Sequence, residues 1–271
     1  PAQALAGTIP GLRVSTATGR PGSLPTIILR GGTNFDGSGS PLVIMDGQIR
    51  GSLSDINPEE IESIEVLKDA SATAIYGARA INGVILITSK KGKVKPTITV
   101  SQTTQLESIS YMPKFQDQFG GGYSPDDLGY GTFEPIEQQS WGDRFDGSVR
   151  QFGQTGPNGE KLTMPYSYVK NGRKNFFNTG ITNQSDLSYS AANFYISAQN
   201  VSIQGTMPGD KNDRRSFNLR SDKEYGRFKA GFGIRYTQTQ YDITNNNQIV
   251  YYDVTGSPGN YDLSRFKNWR T

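Results

Sequence analysis

The chain has 271 residues, a formal net charge of +3, no cysteine and no histidine; 34% of it is hydrophobic and its mean hydropathy is −0.56. The missing Cys and His remove disulfides, thiolate metal sites and the commonest general base, and the mild charge carries no nucleic-acid footprint. The best apolar run, Val84-Ile85-Leu86-Ile87, is far too short to cross a bilayer as a helix, but a transmembrane barrel escapes that test because only alternate residues face lipid.

Low apolar content with 32 Gly, 14 Tyr and 13 Phe argues against a helical bundle, and the length allows one or two domains. In chain order, residues 1–93 carry compact apolar runs split by turn formers. Val43–Met45, Ile61–Leu67 and Gly83–Thr88 read as strands. Ile61, Ile64 and Leu67 also fit a helical stripe, yet the β-branched Ile64 and Val66 between polar Ser63 and Glu65 favour a strand over 63–67. Asn57-Pro58-Glu59-Glu60 predicts a short helix with Asn57 as cap and Pro58 at its first position. Ala70–Tyr76 can turn helically after Asp69 and end at Gly77. Asp46-Gly47 is a hairpin-type turn signal, and Tyr76-Gly77 and Asn82-Gly83 mark bends that need small residues or positive φ.

The pattern changes after Lys95. Residues 227–237, RFKAGFGIRYT, place Phe228, Ala230, Phe232, Ile234 and Tyr236 on one face, and Lys229, Gly231, Gly233, Arg235 and Thr237 on the other. Residues 192–199 repeat this, with Phe194 and Ile196 opposite Tyr195, Ser197 and Gln199. Weaker alternation appears at 97–104 (Ile98, Val100), 186–191 (Leu187, Tyr189) and 215–220 (Phe217, Leu219). About two residues near Ala191-Ala192 suffice between the second and third of these strands, and Glu224-Tyr225-Gly226 between the fourth and fifth. Roughly seventy residues (107–180) separate the first from the second, far more than a compact domain carries without structure. Alternating short and long connections are the habit of outer-membrane barrels. About five strands cannot close a large outer-membrane barrel, which uses about 22, so the sequence is expected to be part of a longer chain.

The enzyme readings fail in turn. There is no G-x-S-x-G; Gly129-Tyr130-Gly131 and Gly231-Phe232-Gly233 lack a third glycine; Gly92-Lys93 is followed by Val94 where a phosphate loop needs Ser or Thr. Asp36 with Asp46, or Asp126 with Asp127, would suit a carboxylate pair, but 25 acids produce such pairs by chance. No catalysis, metal or cofactor is expected.

Ile27-Ile28-Leu29-Arg30-Gly31-Gly32, Pro41–Gly47 and the stretch LKDASATAIYGARAINGVILITSKKG, in that order, resemble the plug domain of TonB-dependent outer-membrane transporters, and the wording is most similar to nutrient importers of the SusC/RagA type. The resemblance covers roughly residues 3–93. It implies an α+β plug domain (1–93) followed by the antiparallel strands of a transmembrane β-barrel with long extracellular loops (94–271). It further implies import of an oligosaccharide or peptide across a Gram-negative outer membrane, a SusD-type surface lipoprotein as lid, TonB acting through a segment N-terminal to the plug, and lipid around the wall. A secreted all-β binding or adhesion module is the alternative from another class. A siderophore or cobalamin receptor is the alternative within the family.

On this resemblance Arg30 sits inside the plug and bonds acids such as Glu62 or Glu65, while Asp46, Gly47, Tyr76, Gly77, Asn82 and Gly83 shape the plug backbone. Thr33–Ser40 would be an apex loop that touches cargo from below, with Phe35 stacking, Asn34 hydrogen-bonding and Asp36 beside them. Trp141, in the aromatic-rich 107–180 segment, would contact cargo or lid. Lys90–Lys95 would lie at the periplasmic rim. The plug is expected to pack against the inward wall face that carries Lys229 and Arg235.

Overall fold

The computed structural model describes residues 12–15, 21, 23, 25–29, 39–53, 56–67, 75–123, 132–133, 139–243 and 247–267. Two short strands, β1 (Leu12–Ser15) and β2 (Thr26–Leu29), pair antiparallel. A four-stranded sheet follows from β3 (Leu42–Met45), β4 (Gln48–Arg50), β5 (Ile61–Leu67) and β6 (Val84–Ser89), in the order β4-β3-β6-β5. Strand β3 runs parallel to β6, and the other two pairings are antiparallel. Strands β3 and β6 occupy the centre, and their β-branched and aliphatic runs are buried on both faces.

The Asp46-Gly47 turn joins β3 to β4 with positive φ at both residues (50° and 81°), the backbone that matches the twist of a two-residue hairpin. Asn57 caps a 3-10 turn over Pro58–Glu60, its side chain accepting from the Glu59 N–H at 3.0 Å. Residues 61–67 form the strand that Ile64 and Val66 favoured. Ile75 and Tyr76 are helical, but Gly77 (φ 70°) opens a further 3-10 turn to Ala80 rather than ending the element. Asp69 lies outside the described residues.

Leu29, Val43, Met45, Leu53, Ile56, Ile85 and Ile87 form one buried cluster; Ile44, Ala80 and Val84 form another, with Tyr76 packed against it. Gly83 links them. Its φ is 88°, and a Cβ there would run into the Leu29 side chain and stand 3.0 Å from the Leu67 carbonyl. Gly83→Ala therefore combines left-handed strain with a backbone clash. The expected result is a loss of about 2 kcal/mol or more, read as a lowered melting temperature. Gly47→Ala, with open space around its Cβ, should lose less.

Beyond β6, the chain forms β7 (Thr97–Glu107), β8 (Gly122–Tyr123), β9 (Thr132–Phe133), β10 (Val149–Phe152), β11 (Leu162–Pro165), α1 (Gly172–Phe176), β12 (Gly180–Ala191), β13 (Phe194–Gln204), β14 (Lys211–Tyr225), β15 (Phe228–Asp242) and α2 (Asn247–Gly256). Five of these make one sheet in the order β15-β14-β13-β12-β7. All five alternating segments are present, and the connections of Ala192-Asn193 and Gly226-Arg227 are as short as the spacing predicts.

This sheet is inverted relative to one in water. Its exposed face carries Ile98, Val100, Leu187, Tyr189, Phe194, Phe217, Phe228, Phe232, Ile234 and Tyr236. Its covered positions are largely polar: Asp186, Ser190, Ser197, Gln199 and Asn218. A soluble sheet buries the first set and exposes the second. Apolar outside and polar inside is the arrangement of a barrel wall in lipid.

Two compact units can be distinguished. The first comprises Pro1–Gln105, Ile181–Ile203 and Lys211–Tyr241, so β1–β6 and most of the wall belong together. The second comprises Leu106–Gly180, Gln204–Asp210 and Asp242–Thr271. Its core is Phe176, Met207, Val254 and Leu263. Within it, Phe152 meets Tyr261 edge-on at 4.3 Å, and Arg150 lies 4.0 Å over the Tyr166 ring while pairing with Asp143 and Asp146 at 2.7 Å. Phe152 and Tyr166 of the long connection thus pack within an ordered body.

Candidate functional site between plug and wall

Among the described residues, the covered face of the wall meets the plug chiefly through charge and amide groups. Glu60 ends the 3-10 turn that Asn57 caps, and it is 1% exposed. Its Oε2 pairs with Arg235 Nη2 at 2.8 Å, and its Oε1 accepts from Ser197 Oγ at 3.0 Å. Arg235 Nη1 also points at Met45 Sδ, 2.9 Å away.

Asn57 Oδ1 accepts a second bond, from Gln199 Nε2 at 2.7 Å. The same amide donates to Asp186 at 2.7 Å, while Arg214 donates to Gln199 Oε1 at 3.0 Å. Tyr195 donates its hydroxyl to the Glu59 carbonyl at 3.3 Å. Three residues of the plug turn, Asn57, Glu59 and Glu60, are therefore read by alternate inward positions 199, 195 and 197 of β13.

A second clamp forms at the β3–β4 turn. Asp46 Oδ1 accepts from the Ser89 N–H at 3.0 Å and pairs with Arg220 Nη1 at 2.9 Å. Arg220 in turn holds Asp222 at 2.7 Å and Ser89 Oγ at 2.5 Å. Between the clamps lies a cleft of about 350 Å³, lined among others by Gln48, Arg50, Asn218, Arg220 and Arg235.

The two plug acids differ electrostatically. Burial pushes the Asp46 carboxyl up, but the bonds from Ser89 and Arg220 outweigh it, and it ionises more readily than an ordinary aspartate. For Glu60, burial dominates the pull of Arg235 and Ser197, so its carboxyl holds a proton to higher pH than usual.

The sequence-predicted residues fall as follows. Asp46, Gly47, Gly77 and Gly83 adopt positive φ, Tyr76 packs beside the Ala80 cluster, Asn82 lies in the turn before Gly83, and Asp46 is in addition a clamp residue. Arg30, Asn34, Phe35 and Asp36 lie outside the described residues. Glu65 is exposed because it alternates with Ile64 and Val66, which face the core, and Glu62 is exposed where the register shifts between Ile61 and Ser63; Glu60, one residue before the strand, is buried. Arg235 faces the plug as expected, but Lys229 does not: it is exposed near the strand end and pairs with Glu224 across the hairpin at 2.7 Å. Trp141, 59% exposed, lies 6.3 Å from the Phe119 ring in the second unit. Sequence reasoning missed Glu60 and Asn57 as wall contacts. The available signal was polar Ser197 and Gln199 in the inward register of β13.

Among known proteins, the family model of the TonB-dependent receptor plug domain matches residues 1–84. TonB-dependent receptor SusC of Bacteroides thetaiotaomicron is 41% identical over 150 residues, 52% of this chain and 14% of that protein. TonB-dependent receptor P39 of Formosa agariphila is 30% identical over 256 residues, 91% of this chain and 22% of that protein. The chain thus spans less than a quarter of these relatives. The RagAB peptide importer in its closed-closed state shares the fold, with a TM-score of 0.64 at 22% identity over 89% of this chain and 29% of that one. Plug sheet, inverted wall and these similarities agree: residues 1–84 carry the plug domain of TonB-dependent receptors, and the chain as a whole is similar to receptors of the SusC/RagA type, with antiparallel strands following the plug.

Proposed function

We propose that this chain supplies the gate of a TonB-dependent importer that carries an oligosaccharide or peptide across the outer membrane of a Gram-negative cell. By role, residues 1–93 act as plug and 94–271 as wall and extracellular loops. The observation that carries the reading is the polar plug–wall contact. A hydrophobic seam would fuse plug and wall, whereas a few directional ion pairs and amide bonds hold the plug in one position and are replaced by water once it moves. The names of the relatives and of the RagAB importer support the same reading. In it, a SusD-type lipoprotein covers the outer face, TonB pulls the plug from the periplasm, and Asn34, Phe35, Asp36 and Trp141 face cargo. The exposed apolar face of the wall lies against lipid.

The test uses the full-length receptor in its own host, with Gln48→Cys and Asn218→Cys on the two sides of the cleft; the 271 residues contain no native cysteine to compete. A thiol-cleavable crosslinker applied to cells should abolish uptake of the nutrient that the receptor supports, and reduction should restore it. Undiminished uptake by receptor that gels show to be crosslinked would reject a moving plug.

A further inference from the structure

In the second unit a cavity of about 320 Å³ opens beside α1. Its walls are preformed. A Cβ at Gly172 would stand 2.6 Å from the Tyr261 carbonyl, one at Gly259 would stand 2.9 Å from the Tyr168 ring, and Asn171 holds a left-handed φ of 60°. Phe115, Tyr168 and Tyr261 contribute aromatic surface to it. Lys114, Lys174 and Arg173 contribute three positive charges against the single negative charge of Asp117.

Arg173 is the unusual member. It is only 8% exposed, yet among the described residues it forms no ion pair. One amino group donates to the Ser257 carbonyl, the guanidinium carbon lies 4.0 Å over the Phe115 ring, and Nε–H has no acceptor. Burial lowers the guanidinium pKa, offset in part by Tyr168. Buried charges are ordinarily paired, so an unpaired cation on a preformed wall leaves room for an anion.

We propose that this cavity binds the carboxylate group of a small cargo molecule, Arg173 taking the carboxylate and Tyr168 and Tyr261 taking the body that bears it. One buried cation with an unpartnered Nε–H suits a carboxylate monoanion. The volume holds a single sugar ring or one to two amino-acid residues, and the flat rings suit either the C–H face of a sugar or a side chain. As a statement about cargo this rests on the import reading above; as a statement about binding it stands alone.

The experiment is calorimetric titration of the detergent-solubilised full-length receptor with four probes: glucuronate, glucose, an N-acetylated dipeptide with a free C-terminal carboxylate, and its amide. At least one carboxylate probe should bind about tenfold or more tightly than its neutral partner, and which of the two does so names the source. Arg173→Met should erase that preference. Tyr168→Ala, at a ring that is 38% exposed, should weaken binding several-fold while leaving the preference for charge intact. Equal affinity for charged and neutral probes, or no measurable binding of any, would overturn the proposal. So would a structure of the whole receptor that seats one of its own carboxylates on Arg173. Carboxylate binding without uptake would count against the import reading instead.

Discussion

Arg235→Met in the full-length receptor should destabilise the seated plug by about 3–5 kcal/mol, the largest effect of any single wall substitution facing it. The reason is what remains behind. Glu60 stays buried, loses its 2.8 Å partner and keeps the Ser197 hydroxyl and the more distant charge of Arg214. Amide hydrogen exchange across β3 and β6, the strands behind Met45, would report the loss directly. Adding Glu60→Leu should recover most of it, because removing both charges leaves no uncompensated group. Lys229→Met, whose partner Glu224 is solvent-exposed, should leave exchange unchanged.

The effect of pH follows from the directions of the two acid shifts. Glu60 holds its proton to higher pH in the fold than in an unfolded chain, so its contribution to stability is fully present below the ordinary glutamate range and is lost as pH rises through its folded value. The deficit of Arg235→Met should accordingly be largest near neutrality and shrink on acidification, as the orphaned carboxylate protonates. Asp46 behaves oppositely. Its value is lowered, so its clamp to Arg220 is present above the ordinary aspartate range and weakens as pH falls. A deficit in Arg235→Met that grew with acid would contradict the environment assigned to Glu60.

Much of this was legible before any coordinates, for a definite reason. Wall strands must alternate to separate lipid from lumen, so period-2 patterns at 192–199 and 227–237 announced β13 and β15, and short connectors announced their hairpins. Asp46-Gly47 and Asn82-Gly83 were legible because positive φ restricts the residue type. The clamps were not. Glu60 looks in sequence like any acid in a first helical turn, next to Glu59, which is half-buried, and Glu62, which is exposed. Only the meeting of the 3-10 turn with β13 and β15 distinguishes it, and that contact spans 137 and 175 positions along the chain. Lys229 shows the converse limit: it shares the inward parity of Arg235, but parity does not say how far along the strand the plug reaches. Arg173 was invisible for a similar reason, since its burial depends on Phe115 and Ser257, both distant in sequence.

Phe232→Arg should cost about 2–4 kcal/mol in the folding of the full-length receptor into bilayers, whereas Gly233→Arg should cost clearly less. Phe232 lies on the exposed apolar face between Phe228 and Tyr236, 55% exposed, where the wall reading puts hydrocarbon. Gly233 lies on the opposite pleat. It lines the polar cleft beside Asn218 and Arg220, and the nearest neighbour of an added Cβ would be the Leu219 carbonyl at 3.7 Å, ordinary van der Waals distance. Arginine at 233 enters an aqueous lumen that already holds guanidinium groups, so its cost there is mutual repulsion rather than loss of hydration. The comparison isolates the inversion of the sheet from its stability, because both substitutions add the same side chain to adjacent residues of one strand. Urea titration of vesicle-reconstituted receptor measures the difference. Equal costs at the two positions would mean that both faces of β15 see the same solvent, and neither a lipid-facing wall nor a plugged lumen could then be retained.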